Sequence, residues 1–508
     1  MKVPPCVDTG YGSCYHEPIQ ASDTPYAKHK DNPDLLTTQG VSHMDTYKLV
    51  RNIKVEEGYD VLVAGAGPAG CAAAIAAARL GAKVLLVEAM GCLGGLSTAG
   101  IVSEFDPMSN GRRMLVGGIM QEIVENMYSR GFMPDCSTPN RWRHDDHRYT
   151  SFKAEGLKLL LDEMVLEAGI EVRFFTRVID ADADKETRQV RGAIISNVDG
   201  YSYIKAKKFI DATGDAILAD VAGVANRVAG VDTPHAMPPT LCAVFAGINW
   251  EGIEFKYEEC CPKDQPEKIA KAIDDGIFSQ PDYHLPGLFQ VDDTVGYSNS
   301  GHIYGTNAVN NKSLTNAMFV GRRQVREYEY FYKHYWKGFE NLQLVTTAQL
   351  LGVRETRRIV GEYEMTYEDF KKRRKFPDQI AVFGKSVDLH GYKPGKDEIE
   401  KHYERFYRSD KVAVGDYYGI PYGILVPKEF DNLWVAGRCV STDVMVQAAI
   451  RVQPACSMMG QAAGTAAVQS LKTGQTARNI DTQLLVETLR KNGAYLPQTE
   501  LTKTLTLE

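Results

Sequence analysis

The run Tyr59-Asp-Val-Leu-Val-Ala64 is a short block of apolar residues, the pattern of a strand buried on both faces. It runs into a glycine-rich turn. The small-residue segment Cys71–Leu80 then predicts a helix, and Lys83–Val87 predicts a second buried strand that ends at Glu88. Together these make a βαβ unit of roughly 30 residues. Further on, residues 153–168 repeat apolar positions at helical spacing. Glu171–Phe175, Arg177–Ala183, Val190–Ser196 and Tyr201–Ala206 alternate as short strands, and Lys208–Gly214 is another strand running into glycine. Asn432-Leu-Trp-Val-Ala-Gly437 returns to the strand-then-glycine style, and Pro454–Ser470 is a second small-residue helix.

This order predicts an α/β protein whose nucleotide-binding domain is discontinuous. A Rossmann-like parallel sheet with helices and a small β-meander is expected from residues 58–231 and 430–475, with an α+β substrate domain, 232–429, inserted between them. A C-terminal helix and tail is expected at 476–508. Residues 1–57, rich in Pro, Asp, Thr, Tyr and His without a sustained period, are expected to form an irregular arm, long enough to reach a neighbouring subunit in a homo-oligomer.

Length and composition narrow the class. A chain of 508 residues is long enough for about three domain-sized units, so no disulfide or metal staple is needed. With 58 Lys plus Arg against 65 Asp plus Glu, no global basic field draws the chain to nucleic acid. The ten cysteines form no CxxC pair, which predicts reduced thiols in a cytoplasmic setting. Val61–Val87 is interrupted by glycines, Pro68, Arg79 and Lys83, so no membrane span is expected there.

Gly65-Ala-Gly67-Pro68-Ala69-Gly70 is a G-x-G-x-x-G pattern lying between a predicted strand and a predicted helix, with Glu88 closing the next strand. Gly65 permits the tight turn, Gly67 lets a pyrophosphate approach the backbone, and Gly70 lets the helix pack closely. The helix amino end offers free N–H groups and a positive dipole end to phosphates. Glu88 is placed to accept both ribose hydroxyls of an adenosine. A second glycine cluster, Gly91-Cys-Leu-Gly94-Gly95-Leu96-Ser97-Thr98, suits a long cofactor running past its pyrophosphate. Asp211-Ala212-Thr213-Gly214-Asp215 and Ala436-Gly437 add two more strand-end glycines.

With these motifs the sequence resembles the FAD-dependent oxidoreductases of the glutathione-reductase-like superfamily. It is most similar to a bacterial FAD-dependent oxidoreductase family with four ordered motifs. These stand here as Leu93-Gly-Gly95, Asp211–Ala216, Gly352-Val-Arg-Glu-Thr-Arg-Arg358, and Ala436-Gly-Arg438 followed by Arg451-Val-Gln-Pro454-Ala455-Cys456 and Gly460-Gln-Ala-Ala-Gly464. The resemblance spans about 58–475 and implies FAD as cofactor, held by Gly65–Gly70, Glu88, Ala89, Gly94–Thr98, Ala212–Asp215, Gly437, Arg438, Arg451, Pro454 and Ala455. The flavin ring is then expected at the domain boundary, facing the amino end of the terminal helix. Many superfamily members carry Asp after the strand-end glycine, where this chain has Arg438.

Candidate chemistry beyond the cofactor is less sharply marked. In Gly352–Gly361 a helical turn would group Arg354, Arg357 and Arg358, whereas a strand would put Arg354 and Arg358 on one face, opposite Glu355 and Arg357. Arg354 and Arg357 are candidates for flavin or substrate contact, and a Glu–Arg brace is the alternative. His235 and His302 are candidate general bases because imidazole titrates near neutrality. Tyr304 and Tyr422 stand behind them. His144-Asp-Asp-His147 reads as a solvated charged loop rather than a metal site. Ser97 stands where a disulfide reductase would carry a partner for Cys92, so dithiol chemistry is not expected, and a Cys92–flavin thioether is a lesser alternative.

The expected function is FAD-dependent hydride transfer between flavin N5 and a small molecule, with hydroxyl- or sugar-type compounds as candidates. The electron acceptor or donor is not legible in the sequence. Alternatives are fumarate-reductase-like reduction of an activated C=C bond, flavin-dependent hydroxylation, and a non-catalytic flavin-binding role.

Overall fold

The computed structural model describes residues 47–144, 149–233, 235–255, 266–283 and 287–498. The chain divides into Met1–Asn52 and Ile53–Glu508. In the first unit, residues 47–52 carry no helix or strand. The second unit holds every helix and strand among the described residues.

A seven-stranded sheet forms the centre of this second unit. Strand β1 (Lys54–Ala64) pairs in parallel with β2 (Val84–Val87) and with β6 (Gly200–Asp211), and β2 pairs in parallel with β3 (Glu171–Arg173). The meander β4 (Arg177–Asp184), β5 (Gln189–Asn197) and β6 is antiparallel, as the alternation in the sequence predicts. A late strand from the other end of the described chain, β11 (Leu433–Val435), joins β6 in parallel. Two expectations are corrected here. Lys54–Glu57, read as arm, belong to β1 because Lys54–Glu56 pair with Ser202–Ile204. The two strands read at 201–206 and 208–214 are one strand, whose outer half pairs with both β5 and β1.

The unbroken apolar run of β1 follows from burial on both sides. Val61 and Val63 join the core beneath helices α1 (Pro68–Arg79), α2 (Ile119–Ser129) and α3 (Ala154–Glu167), while Leu62 and Ala64 join a second core with Val178, Ile195, Phe209 and Val435. Successive side chains of a strand point to opposite faces, so every position in the run is apolar. Helix α5 (Gln453–Thr473) lies directly on α1. A Cβ on Gly460 would sit 2.0 Å from the Ala69 carbonyl oxygen, and one on Gly464 2.1 Å from that of Ala73. Glycine at these two positions is what lets the helix backbones touch.

The middle of the chain builds an antiparallel sheet in the order β8 (Leu288–Gln290), β9 (Val295–Ser298), β7 (Ala243–Ala246), β10 (Gln343–Thr347). The long helix α4 (Asn311–Tyr335) starts at Asn310, whose side chain accepts from the Ser313 amide. It packs Val325, Tyr328, Phe331 and Tyr332 on Phe245, Trp336 and Phe339. Helix α6 (Thr482–Lys491) closes the described chain. Among the described residues no helix is long and apolar enough to cross a membrane. Cys71, Cys92, Cys242, Cys439 and Cys456 are free thiols, but Cys136 is disulfide-bonded, contrary to the expectation of uniformly reduced cysteines.

Candidate active site

The glycine motif closes as its spacing predicts. Gly65 turns at φ +89°, and a Cβ there would lie 2.7 Å from the Ala212 carbonyl oxygen. A Cβ on Gly70 would lie 1.8 Å from the Gly65 oxygen, whereas one on Gly67 would meet nothing within 4 Å. The first and last glycines are therefore packing requirements, and the middle one faces open space. Helix α1 starts just after it, with Pro68 at the first position, so the Ala69 and Gly70 amides are first-turn donors without helical partners.

The other glycine clusters converge on the same turn. The Gly94 amide donates to the Ala66 carbonyl at 2.8 Å, and a Cβ on Gly95 would lie 2.9 Å from the Gly67 Cα. Gly95–Ser97 form a single 3-10 turn that leads into Thr98. A Cβ on Gly437, at the end of β11, would meet the Ala69 Cβ at 3.3 Å. Glu88 is buried at the end of β2, and its two oxygens accept from the Ala66 and Met90 amides at 2.7 and 2.8 Å. Burial raises its pKa against these amides and that of Ala89. With three amides on two oxygens, the carboxylate keeps a lone pair for a ribose hydroxyl.

The Asp211–Asp215 turn is braced by protein groups. Asp211, fully buried, accepts from the Thr213 and Ala219 amides at 2.9 and 2.8 Å and so shapes the turn itself. Arg438 donates from Nε to the Gly214 carbonyl at 2.8 Å, from Nη1 to the Val353 carbonyl at 2.8 Å and from Nη2 to Asp215 at 2.6 Å. All three of its nitrogens meet protein acceptors, which accounts for an arginine where superfamily relatives carry Asp.

The arginine-rich motif separates into distinct tasks. Arg357–Ile359 is a strand paired with Asn226–Val228, so the strand alternative holds for its second half. Arg357 meets Asp220 at 3.1 Å and the Asp215 carbonyl at 3.3 Å, and Arg358 is buried against Asp232 at 2.5 Å and the Thr442 carbonyl at 2.7 Å. Glu355 accepts from the Met237 amide at 2.6 Å. The expected brace therefore exists, but it is made by Arg–Asp pairs. Arg354 is apart from it: buried, it donates to the Pro238 carbonyl at 2.5 Å and to the Thr240 hydroxyl at 3.1 Å. Burial, with Arg451 nearby, lowers its pKa to about 10.

His302 lies in a buried line of titratable groups. Its Nδ1 is 2.7 Å from Asp282, and its Nε2 is 2.8 Å from His390 Nδ1. His390 Nε2 is 3.5 Å from Asp388, whose carboxylate takes Arg451 Nη2 at 3.0 Å. Arg451 stands two residues before α5. Burial, then Arg354, holds His390 well below the usual imidazole range. Burial would raise Asp388, but Lys385, His390 and Arg451 overturn it and hold that carboxyl well below its ordinary value. The half-buried Tyr304 places its hydroxyl 3.5 Å from His302 Nδ1, and burial, with Asp282, raises its pKa strongly.

His235 is not part of this line. It is exposed, with its ring 5.7 Å from that of Tyr392. Tyr422 is buried, donating to the Ala477 carbonyl and accepting from the Trp434 indole, both at 2.7 Å, and is a core residue. Asp145–His147 lie outside the described residues. Sequence reasoning missed His390, Asp388, Asp282, Lys385 and Gln453. Gln453, the first residue of α5, accepts from Ser97 at 2.8 Å and donates to the Val102 carbonyl at 2.7 Å, tying the second glycine turn to that helix. The signal for Asp388 and His390 was there: two polar residues at i, i+2 alternating with Val387 and Leu389.

Glycine turns converging from three parts of the chain on one helix start, with an acid closing the next strand, define a dinucleotide-binding α/β protein. The chain belongs to the FAD dependent oxidoreductase family, whose profile matches residues 60–491. It is an FAD-dependent oxidoreductase, and the open space at Gly67, the free α1 amides and Glu88 fit that cofactor. It is similar over short stretches to curated relatives. The tRNA uridine 5-carboxymethylaminomethyl modification enzyme MnmG of Geobacter sulfurreducens is 40% identical over 84 residues, 14% of this chain and 13% of that protein. MnmG of Porphyromonas gingivalis is 47% identical over 91 residues, 16% and 14%. The matched stretches thus span about an eighth of these relatives' length. Among solved structures, a geranylgeranyl bacteriochlorophyll reductase-like protein from Thermoplasma acidophilum matches with TM-score 0.40 and 13% identity over 89% of this chain and 91% of that one. The flavin-dependent halogenase CmlS matches with TM-score 0.44 and 12% identity over 85% and 62%.

Proposed function

We propose that this FAD-dependent oxidoreductase oxidises a hydroxyl group of a small molecule, with the His302–His390 pair receiving the hydroxyl proton. The observation that carries this reading is the line Asp282–His302–His390–Asp388, with imidazole nitrogens 2.8 Å apart and a carboxylate at each end. The pair has a carboxylate at each end, and negative charge there favours a proton arriving on it. Tyr304, at 3.5 Å from His302, is the polar group through which a substrate hydroxyl reaches it.

Bound FAD supplies the hydride acceptor. The Ala69 and Gly70 amides and the Gly94–Gly95 turn would hold its diphosphate, Glu88 its ribose, and Pro454, Ala455 and Arg451 its ring end. Burial, and after it the Arg354 charge beside the pair, keeps His390 neutral until a proton arrives.

The test is anaerobic titration of the flavin-loaded protein with alcohols, polyols and 2-hydroxy acids, read at the flavin absorbance. Bleaching by a hydroxyl compound is expected, slowed at least about 100-fold in His390→Asn with flavin content unchanged. Undiminished bleaching in His390→Asn overturns the reading. So does a protein whose flavin answers only to enoates, or only to oxygen with NAD(P)H.

A further inference from the structure

We infer that Glu104, Asp106 and Lys385 form a recognition subsite for adjacent hydroxyl groups, so that the substrate is a polyhydroxylated small molecule; this rests on the proposed oxidation of a hydroxyl compound. Glu104 opens the short strand Glu104–Phe105 after the second glycine turn, and Asp106 follows it. Residues i and i+2 of extended chain share a face. Phe105 points the other way and stacks on Phe152 with ring centroids 4.2 Å apart, which leaves the two acids together. The subsite is tied to the cofactor end by Gln453, which bonds the Val102 carbonyl two residues before Glu104.

Asp106 and Lys385 are an ion pair, each side chain about nine-tenths buried. One Asp106 oxygen takes the Lys385 ammonium, and the other, Oδ1, is buried without a hydrogen-bond partner. An ion pair serving the fold alone has no reason to leave a carboxylate oxygen unpaired, because a buried unsatisfied charged group is costly. A ligand donor supplies the missing bond. Arg451 Nε, in the same field of charge as Lys385, is likewise buried and unpartnered. Glu104 takes the Tyr297 hydroxyl on Oε2 at 2.5 Å, and burial pushes its pKa to about 8. Burial thus favours its acid form, against the Tyr297 and Asn299 hydrogen bonds to the carboxyl. The cluster thus presents a carboxylic acid donor, a carboxylate acceptor and an ammonium donor side by side. A hydroxyl both donates and accepts, so two on neighbouring carbons match this alternation, whereas a single hydroxyl or a carboxylate leaves part of it unmet.

Equilibrium dialysis of the flavin-loaded, oxidised protein against radiolabelled sorbitol and radiolabelled propan-1-ol tests this, with anaerobic flavin bleaching by the same compounds measured in parallel. In Asp106→Asn, sorbitol affinity is expected to fall at least about tenfold, and the preference for sorbitol over propan-1-ol to fall with it, at unchanged flavin stoichiometry. Where Asp106→Asn fails to hold flavin, Glu104→Ala decides by the same readout. Sorbitol and propan-1-ol binding alike to the native protein overturns the subsite, and so does a preference untouched in a flavin-loaded variant. Sorbitol bound in an Asp106-dependent way without bleaching retires the oxidation and leaves the subsite standing. Bleaching by alcohols regardless of Asp106 does the reverse.

Discussion

The proposed cofactor cradle and the proposed proton-handling cluster are built on opposite plans. The cradle is backbone: Gly65, Gly70, Gly94, Gly95 and Gly437 let the chain pack closely, Gly67 leaves open space, and the task of all six is to have no side chain. The cluster is side chain: Glu104, Asp106, Asp282, His302, Arg354, Lys385, Asp388, His390 and Arg451 come from separate stretches and meet only in the folded protein. A backbone device needs its residues at fixed local spacing. A side-chain device needs only that its residues arrive.

That difference is sharpest between two glycines of one turn. Gly70→Val is expected to have the largest effect of any change considered, because its Cβ would lie 1.8 Å from a carbonyl oxygen with no side chain available to give way. The cost is expected at or above the upper end of the roughly 1–3 kcal/mol typical of overpacking, seen as a fall in Tm or loss of soluble protein. Gly67→Val faces empty space at φ −69°, so the flavin-free fold should keep its stability to within about 0.5 kcal/mol while flavin retention is lost. Retention of flavin by a soluble Gly67→Val protein would remove the cradle assignment.

The same contrast explains what the sequence disclosed. The β1–α1–β2 unit and the closing strand were legible because a strand buried on both faces is apolar at every position and a turn at positive φ needs glycine, and the meander was legible from alternation. The proposed cofactor contacts at Gly65–Gly70 and Glu88 rest on the same local spacing. Arg357 looked catalytic beside Arg354 because charge spacing alone does not reveal that Arg357 enters a short strand and pairs with Asp220, while Arg354 lies outside it against Pro238 and Thr240. His235 and His302 were indistinguishable as lone histidines. What separates them is burial and a second histidine 88 residues away, both tertiary facts.

Arg438 sits where the two plans meet, a side chain serving a backbone turn. Arg438→Met removes donors from the Gly214 and Val353 carbonyls and leaves Asp215 with Thr356 as its remaining side-chain donor. A loss of about 2–3 kcal/mol in stability is expected, measured by denaturant midpoint. Because its nitrogens all meet protein, the pH dependence of flavin bleaching should stay unchanged. A shifted pH profile would place Arg438 in the chemistry rather than in the scaffold.

A last test asks whether Glu104 is an acid in the folded state. Its pKa is raised from 4.5 to about 8, by burial first. A carboxyl raised in the folded state binds its proton more tightly there than in the unfolded chain. Its contribution to stability is therefore fully present below the unfolded pKa and is lost as pH rises through the folded one. Between about pH 4.5 and 8 the native protein should lose stability on this account, while Glu104→Gln, which cannot ionise, should not. The Tm of Glu104→Gln relative to native should thus climb by a few degrees from about pH 5 to about pH 8.5, measured by calorimetry on the flavin-loaded protein. A difference that stays level across that range would mean Glu104 is ionised throughout. The acid donor would then be missing from the side-chain plan, and Asp106 and Lys385 would have to recognise the substrate without it.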